Sequence, residues 1–301
     1  MTALLLALVA ALPFPESHFD TVDGIDLHYR YWNQSPTELR GSVLLVHGFG
    51  GSTFSWRRNI DTLVRQGYRV VVVDLPGYGY SSRLRGLDHT QRARAELLWQ
   101  LLDEIDMESG PPCRPISWVL VGHSMGAGTV AAMTLQQPER TAGLVLVDAA
   151  IYLTPSSATR WLVRIHPVRA LLEAYGRRAL LSRKSVARLV RSAYQREPDT
   201  ADVTGYLTPL ELPGTAEAIV DGLANGTDRV PLDMTGISRP TLIIWGDNDH
   251  WVPLTSGKRL ESEVPDSELE IIRHGGHTPN ETEPGQFNRL LLDFLARTAQ
   301  P

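Results

Sequence analysis

The stretch VLVGHSMGAG, Val119–Gly128, sets a His-Ser pair between an apolar run and a cluster of small residues. Within it, Gly122-His123-Ser124-Met125-Gly126 reads Gly-x-Ser-x-Gly, placed where an apolar strand should end and a helix begin. A serine hydroxyl is a weak nucleophile until a base reaches it. Lifting it onto a sharp strand-to-helix turn crowds the backbone, so only small neighbours are tolerated. Gly122 and Gly126 supply that room. Met125, as the first helical residue, keeps a backbone N–H without an intrahelical acceptor, available to a developing oxyanion. With SWVLV before it and AGTVAAM after it, Ser124 is a nucleophile candidate rather than a hydroxyl at a tight turn.

Outward from this point the chain repeats one rhythm. Short β-branched runs start at Ser42 (SVLLVHG), Tyr68 (YRVVVVDLPG), Ser117 (SWVLVGHS) and Ala142 (AGLVLVDAA). Apolar on both faces, they fit central parallel strands covered by helices. Helix-length stretches, about 55–66, 88–107 and 125–136, lie between them, and strand alternating with helix implies a doubly wound parallel sheet. Before them DTVDGIDLHYRYW, Asp20–Trp32, predicts a β-hairpin turning at Asp23-Gly24. The rhythm stops after Ala150 and resumes at Pro240 with PTLIIWGDND. A helix near 254–263, the strand ELEIIRHGGH from Glu268 and a last helix near 284–297 follow. The interruption predicts a helical insertion, with amphipathic helices at about 159–175 and 177–196.

Composition bounds the partners. The 301 residues suffice for one large α/β domain with an insertion, and a net charge of −5 gives no general case for nucleic acid. The single cysteine, Cys113 in GPPCRP, allows neither an internal disulfide nor a thiolate metal cluster. Residues 151–200 are lopsided, with ten bases against three acids. A basic face of this kind suits anionic substrates or an anionic lipid surface, unless it is simply a solvated helix face balanced by the acidic remainder. The first twelve residues, MTALLLALVAAL, are too short to span a bilayer and carry no basic residue ahead of the apolar run. A cytoplasmic protein is the expectation, with export or membrane association through this segment as the alternative and a homodimer contact as a third use.

DLPGYGYSS, Asp74–Ser82, and LLVHGFGGS, ending at Ser52, complete a set of motifs with GHSMG, GDNDHWVP and GGHTP that resembles the α/β-hydrolase superfamily over nearly the whole chain. The resemblance implies an eight-stranded, mostly parallel sheet with an inserted helical cap. On that reading 1–17 is an apolar N-terminal segment, 18–150 and 239–301 form the core, and 151–238 is the cap or lid. It also implies a Ser-acid-His order. Ser124 is the nucleophile, Asp249 the acid and His277 the base, with Gly275 and Gly276 leaving space for the imidazole. Asp148, after the sixth strand, is the alternative acid, and Asp247 is a turn former. The N–H groups of Phe49 and Met125 form the oxyanion hole, His47 and Asp74 are structural, and His123 stands beside the serine without being its base.

A serine at the elbow argues against haloalkane dehalogenases and epoxide hydrolases, which use aspartate there. Carbon-carbon bond hydrolases keep serine but usually show a longer Gly-Gly-Gly-Pro-Gly type loop and a tryptophan after the histidine, where HGFGG and GHTP stand here. The expectation is a carboxylic ester hydrolase, a carboxylesterase or lipase, acting on a small-molecule ester with a hydrophobic part, without cofactor or metal. A carbon-carbon bond hydrolase, a perhydrolase or haloperoxidase-like member, and a ligand-binding receptor with slow turnover stand as alternatives.

Overall fold

Asp23 and Gly24 take φ of 48° and 75°, the conformation a two-residue primed turn requires. They join β1 (Ser17–Val22) to β2 (Ile25–Trp32) antiparallel, with Val22 opposite Ile25. The computed structural model describes residues 12–33, 39–108, 116–153 and 155–298; Cys113 and residues 1–11 of the apolar N-terminal segment lie outside them. Six strands follow: β3 (Gly41–Val46), β4 (Tyr68–Val73), β5 (Trp118–His123), β6 (Thr141–Val147), β7 (Thr241–Gly246) and β8 (Ser267–Ile272). The sheet runs β1-β2-β4-β3-β5-β6-β7-β8, eight-stranded and mostly parallel, with β2 alone opposed to its neighbours.

The both-face apolar runs are buried for the reason the sequence suggests. Every residue of β3, β4, β5 and β7 is buried, and alternate side chains enter two separate cores. Leu44 and Val46 meet α2 (Gln91–Glu108) and α3 (Met125–Gln136) through Leu97, Leu98, Ala127 and Val130. Val43 and Leu45 belong with Ile60 of α1 (Ile60–Arg65) and with Phe287 and Leu291 of the C-terminal helix. Full burial of one such aliphatic side chain contributes roughly 1.5–3 kcal/mol, so a polar substitution in β3 or β5 removes a large part of a marginal total.

Two helix starts differ from expectation. The stretch 55–66 is not one helix but a 3-10 turn, Thr53–Trp56, followed by α1. Ser52 Oγ accepts the Phe54 N–H and Asp74 Oδ1 the Thr53 N–H, which fixes the tighter turn. Helix α2 begins at Gln91 rather than near 88, because Asp228, 137 residues away, accepts the Gln91 N–H at 3.0 Å.

Between β6 and β7 the described residues form helices and no strand. The expected helix 159–175 divides into α4 (Ser157–Arg164) and α5 (His166–Tyr175) at an extended Ile165, with Pro167 in the first turn of α5 where its missing N–H costs nothing. Past a π-turn at Gly176–Leu180, α6 (Arg183–Tyr194) is shorter than the expected 177–196. Two further helices escaped the sequence reading, α7 (Thr200–Leu210), capped by Asp199, and α8 (Thr215–Asn225). After β7 come α9 (Leu254–Glu263), the single turn α10 (Pro279–Thr282) and α11 (Pro284–Thr298).

Candidate active site

At the end of β5, Ser124 holds φ 50° and ψ −114°, outside the regions that non-glycine residues favour. Its N–H donates to the Val147 carbonyl of the neighbouring strand at 2.8 Å, which locks the turn to β6. The two motif glycines are required by close approach. A Cβ at Gly122 would lie 2.5 Å from both the Gly126 carbonyl oxygen and Val130 Cγ2, and one at Gly126 would collide with the backbone of Val46 and His47.

The loop after β8 carries His277 to this turn. His277 Nε2 lies 2.9 Å from Ser124 Oγ, and His277 Nδ1 lies 2.8 Å from Asp249 Oδ2. Asp249 Oδ1 accepts the N–H groups of Trp251 at 2.7 Å and Val252 at 3.1 Å. Burial pushes the Asp249 carboxyl up, but His277 and the two amides outweigh it and hold the acid below its ordinary range. The structure thus joins Ser124, His277 and Asp249 in one hydrogen-bonded chain, while Asp247 is exposed beside it.

Asp148 lies deeper. It is fully buried and takes a positive φ of 42°. Its Oδ1 accepts the Gly246 N–H at 3.0 Å, whereas Oδ2 has no donor among the described residues. Asp148, Asp249 and His277 offer three ligand-type atoms within 4.8 Å of one another, though His277 and Asp249 already spend theirs on their mutual hydrogen bond. Burial first, and the neighbouring Asp249 carboxylate second, raise the Asp148 carboxyl well above its usual range, so of the two acids Asp148 keeps its proton.

The other histidines near the serine are engaged in bonds of their own. Burial lowers His123 to about 3, so it stays neutral and donates from Nε2 to the His277 carbonyl at 2.6 Å. His47 is fully buried, accepts the Leu75 N–H at Nε2 and turns Nδ1 to the Gly48 carbonyl. Asp74 gathers the N–H groups of Thr53 and Tyr80 and the His28 ring, which ties the loop after β4 to the β1–β2 hairpin. Phe49 follows β3 at the cavity, its ring edge-on to Tyr78 at 5.9 Å. Met125, directly after the serine, opens α3 with its partly buried side chain packed against the core. Neither N–H, of Phe49 or of Met125, donates to another described residue.

The helices between β6 and β7 complete the site. The His277 N–H donates to the Ala193 carbonyl at the end of α6 at 2.7 Å. The space at Gly276 is therefore filled by backbone and not left for the imidazole to swing, since a Cβ there would overlap the Ala193 carbonyl oxygen. Trp251 stacks on the His277 ring at 4.9 Å and donates its indole N–H to Ser192 Oγ. Over the serine lies a mainly apolar cavity of about 150 Å³ walled by Val186, Leu189, Val190 and Leu210. Besides Ser124 and His277, its residues with polar atoms are Ser55, His123, Tyr194, Tyr206, Trp251 and Thr278, and the wall contains no Lys or Arg. Both phenols bond to Glu281, which is fully buried and also paired with Arg57; Asp202 of α7 pairs with Arg57 and Arg58. Burial, more than Arg57 can offset, raises the Glu281 carboxyl.

The sequence reading missed Trp251, Tyr194, Tyr206 and Glu281. Trp251 stands two residues after the acid in GDNDHWVP and carried a usable signal. The tyrosines meet Glu281 across 75 or more residues, and nothing local marks them.

The profile of the family described as alpha/beta hydrolase fold matches residues 41–284. An uncharacterised hydrolase of Bacillus subtilis is 28% identical over 91% of this chain and 96% of its own length. A 2-hydroxy-6-oxononadienedioate/2-hydroxy-6-oxononatrienedioate hydrolase of Escherichia coli is 31% identical over 85% of this chain and 87% of its own. Among solved structures, bromoperoxidase from Bacillus anthracis superposes with a TM-score of 0.72 at 24% identity, covering 93% of this chain and 99% of that one, a likeness of fold.

Proposed function

The chain belongs to the α/β-hydrolase family, and from that premise we propose that it is a serine hydrolase of uncharged carboxylic esters with a hydrophobic part. His277 takes the proton of Ser124 Oγ as the oxygen attacks the ester carbonyl. Asp249 holds the imidazole in the required tautomer and stabilises its charged form. The N–H groups of Phe49 and Met125 receive the tetrahedral oxyanion. His277 then protonates the leaving alcohol, an acyl-Ser124 ester remains, and water activated by the same histidine releases the acid. Residues 151–238 serve as the cap that limits the size of the acyl or alcohol group.

The observation that carries this reading is the hydrogen-bonded chain from Ser124 to Asp249 beneath a cavity wall without a cation. Placing an unpaired carboxylate in an apolar cavity costs several kcal/mol, so the wall favours a neutral substrate. Carbon-carbon bond hydrolysis is the second reading, supported by the 31% identity to the Escherichia coli dienedioate hydrolase. A dienedioate, however, brings two carboxylates to a wall that offers them no Lys or Arg.

Steady-state turnover of p-nitrophenyl esters from acetate to palmitate, beside a 2-hydroxy-6-oxo-dienedioate, decides between the two. The expected outcome is multiple turnover of a medium-length ester and negligible cleavage of the dioate, with Ser124→Ala reducing kcat by on the order of 10³-fold or more. Faster turnover of the dioate than of every ester would replace the first reading by the second. Tight binding without turnover of either would point to a ligand-binding protein.

A further inference from the structure

Surface helices of globular proteins turn their apolar stripe inward, and α5 also turns one outward. Pro167, Ala170, Leu171, Ala174 and Tyr175 recur at helical spacing and are all exposed, Leu171 by 69% and Tyr175 by 56%. On α4 the exposed side chains include Ala158, Trp161 at 67% and Leu162 at 47%. Both helices pack on α8 through Val163 and Leu172 against Val220 and Ala224, so these exposed faces lie on the side away from the molecule. Large apolar side chains gathered like this on a surface mark a contact site.

Cations rim the patch. Arg160 and Arg164 of α4 line one cleft with Arg229, and Arg178 is exposed in the π-turn three residues past Tyr175. The Arg160 and Arg164 guanidinium groups bond to the carbonyls of Pro155 and Ala224, neutral acceptors that leave the charge in place. Of the acids in the cleft, Asp228 is already held by Arg92 and two backbone N–H groups, and Asp88 accepts the Thr90 N–H. Glu173 faces inward and is paired with Arg85 and Arg169.

We propose that the outer face of α4 and α5 docks on an anionic lipid bilayer. Trp161, Leu162, Leu171 and Tyr175 enter the boundary between headgroups and acyl chains, and Arg160, Arg164 and Arg178 meet lipid phosphates. Apolar and amphipathic aromatic side chains ringed by arginine match the chemistry of that boundary, where the rings sit between tails and headgroups. A second copy fits less well, because a two-fold contact would set the same arginine-rimmed patch against itself.

Co-sedimentation of the full chain with phosphatidylcholine vesicles, with and without phosphatidylglycerol, tests this. The protein should pellet with the anionic vesicles, less at high salt, and much less with phosphatidylcholine alone. Trp161→Ser/Leu171→Ser should lower partitioning by about tenfold or more, and Arg160→Gln/Arg164→Gln by roughly fivefold per charge on anionic vesicles only. Both variants should keep the wild-type melting temperature, a check independent of which bond the enzyme hydrolyses. Equal pelleting of wild type and both variants, or equal binding to both vesicle types, would overturn the proposal. A wild-type dimer that the two variants convert to monomer would do so as well, assigning the face to self-association.

Discussion

Two aspartates lie near His277, and what separates them is hydrogen-bond supply. Asp249 collects the imidazole and two backbone N–H groups, whereas Asp148 has the Gly246 N–H alone and sits fully buried. Close carboxyl groups in a low dielectric do not both ionise, so the poorly supplied one stays neutral. Asp148→Asn replaces one neutral group by another and should change kcat/KM by less than about fivefold, while Asp249→Asn should lose on the order of 10³–10⁴. Equal losses in the two variants would transfer the acid's role to Asp148. In the sequence the family resemblance pointed to Asp249, the second aspartate of GDNDHWVP, and kept Asp148 as the alternative, since both lie between the serine and the histidine. Which of the two would receive the donors was not legible, because the imidazole and the amides converge on Asp249 only in the folded sheet.

At the scale of elements, strands were more legible than helices. A strand buried on both faces writes a continuous apolar run into the sequence, and β3 through β7 show it. The helices of the insertion are positioned by remote partners instead, as the Asp202 and Tyr206 contacts of α7 with Arg57 and Glu281 illustrate. The junction of α6 with the histidine loop is the most consequential of these. Gly276→Ala should push the loop off Ala193 and lower kcat by about tenfold or more together with the thermal midpoint, since a misplacement of about 1 Å in the proposed base is expensive. An unchanged kcat in that variant would show that the contact does not position the base.

Over the whole molecule, buried neutral histidines make stability depend on acid. Burial, aided by Arg94, lowers His89 from 6.5 to about 4. A group with a depressed histidine value is neutral when folded and protonated when unfolded below pH 6.5. Its contribution is therefore complete above 6.5 and is lost as pH falls through about 4, up to roughly 3 kcal/mol in all. His89→Gln lacks this proton uptake, so urea midpoints of wild type and variant should converge as pH is lowered from neutrality. Parallel loss in both proteins would exclude His89 as a source of acid sensitivity. The charge imbalance of 151–200 was plain in the sequence; that Trp161 and Leu171 face outward beside it was not, because periodicity alone does not say which face of a helix is covered.

The bond from the His277 N–H to the Ala193 carbonyl bears on modularity. An insertion that only roofed a cavity could be exchanged between homologues to transplant substrate preference. Here α6 also supplies an acceptor for the backbone of the proposed general base, so a chimera must bring its own carbonyl to that place or assemble the new pocket around a displaced histidine.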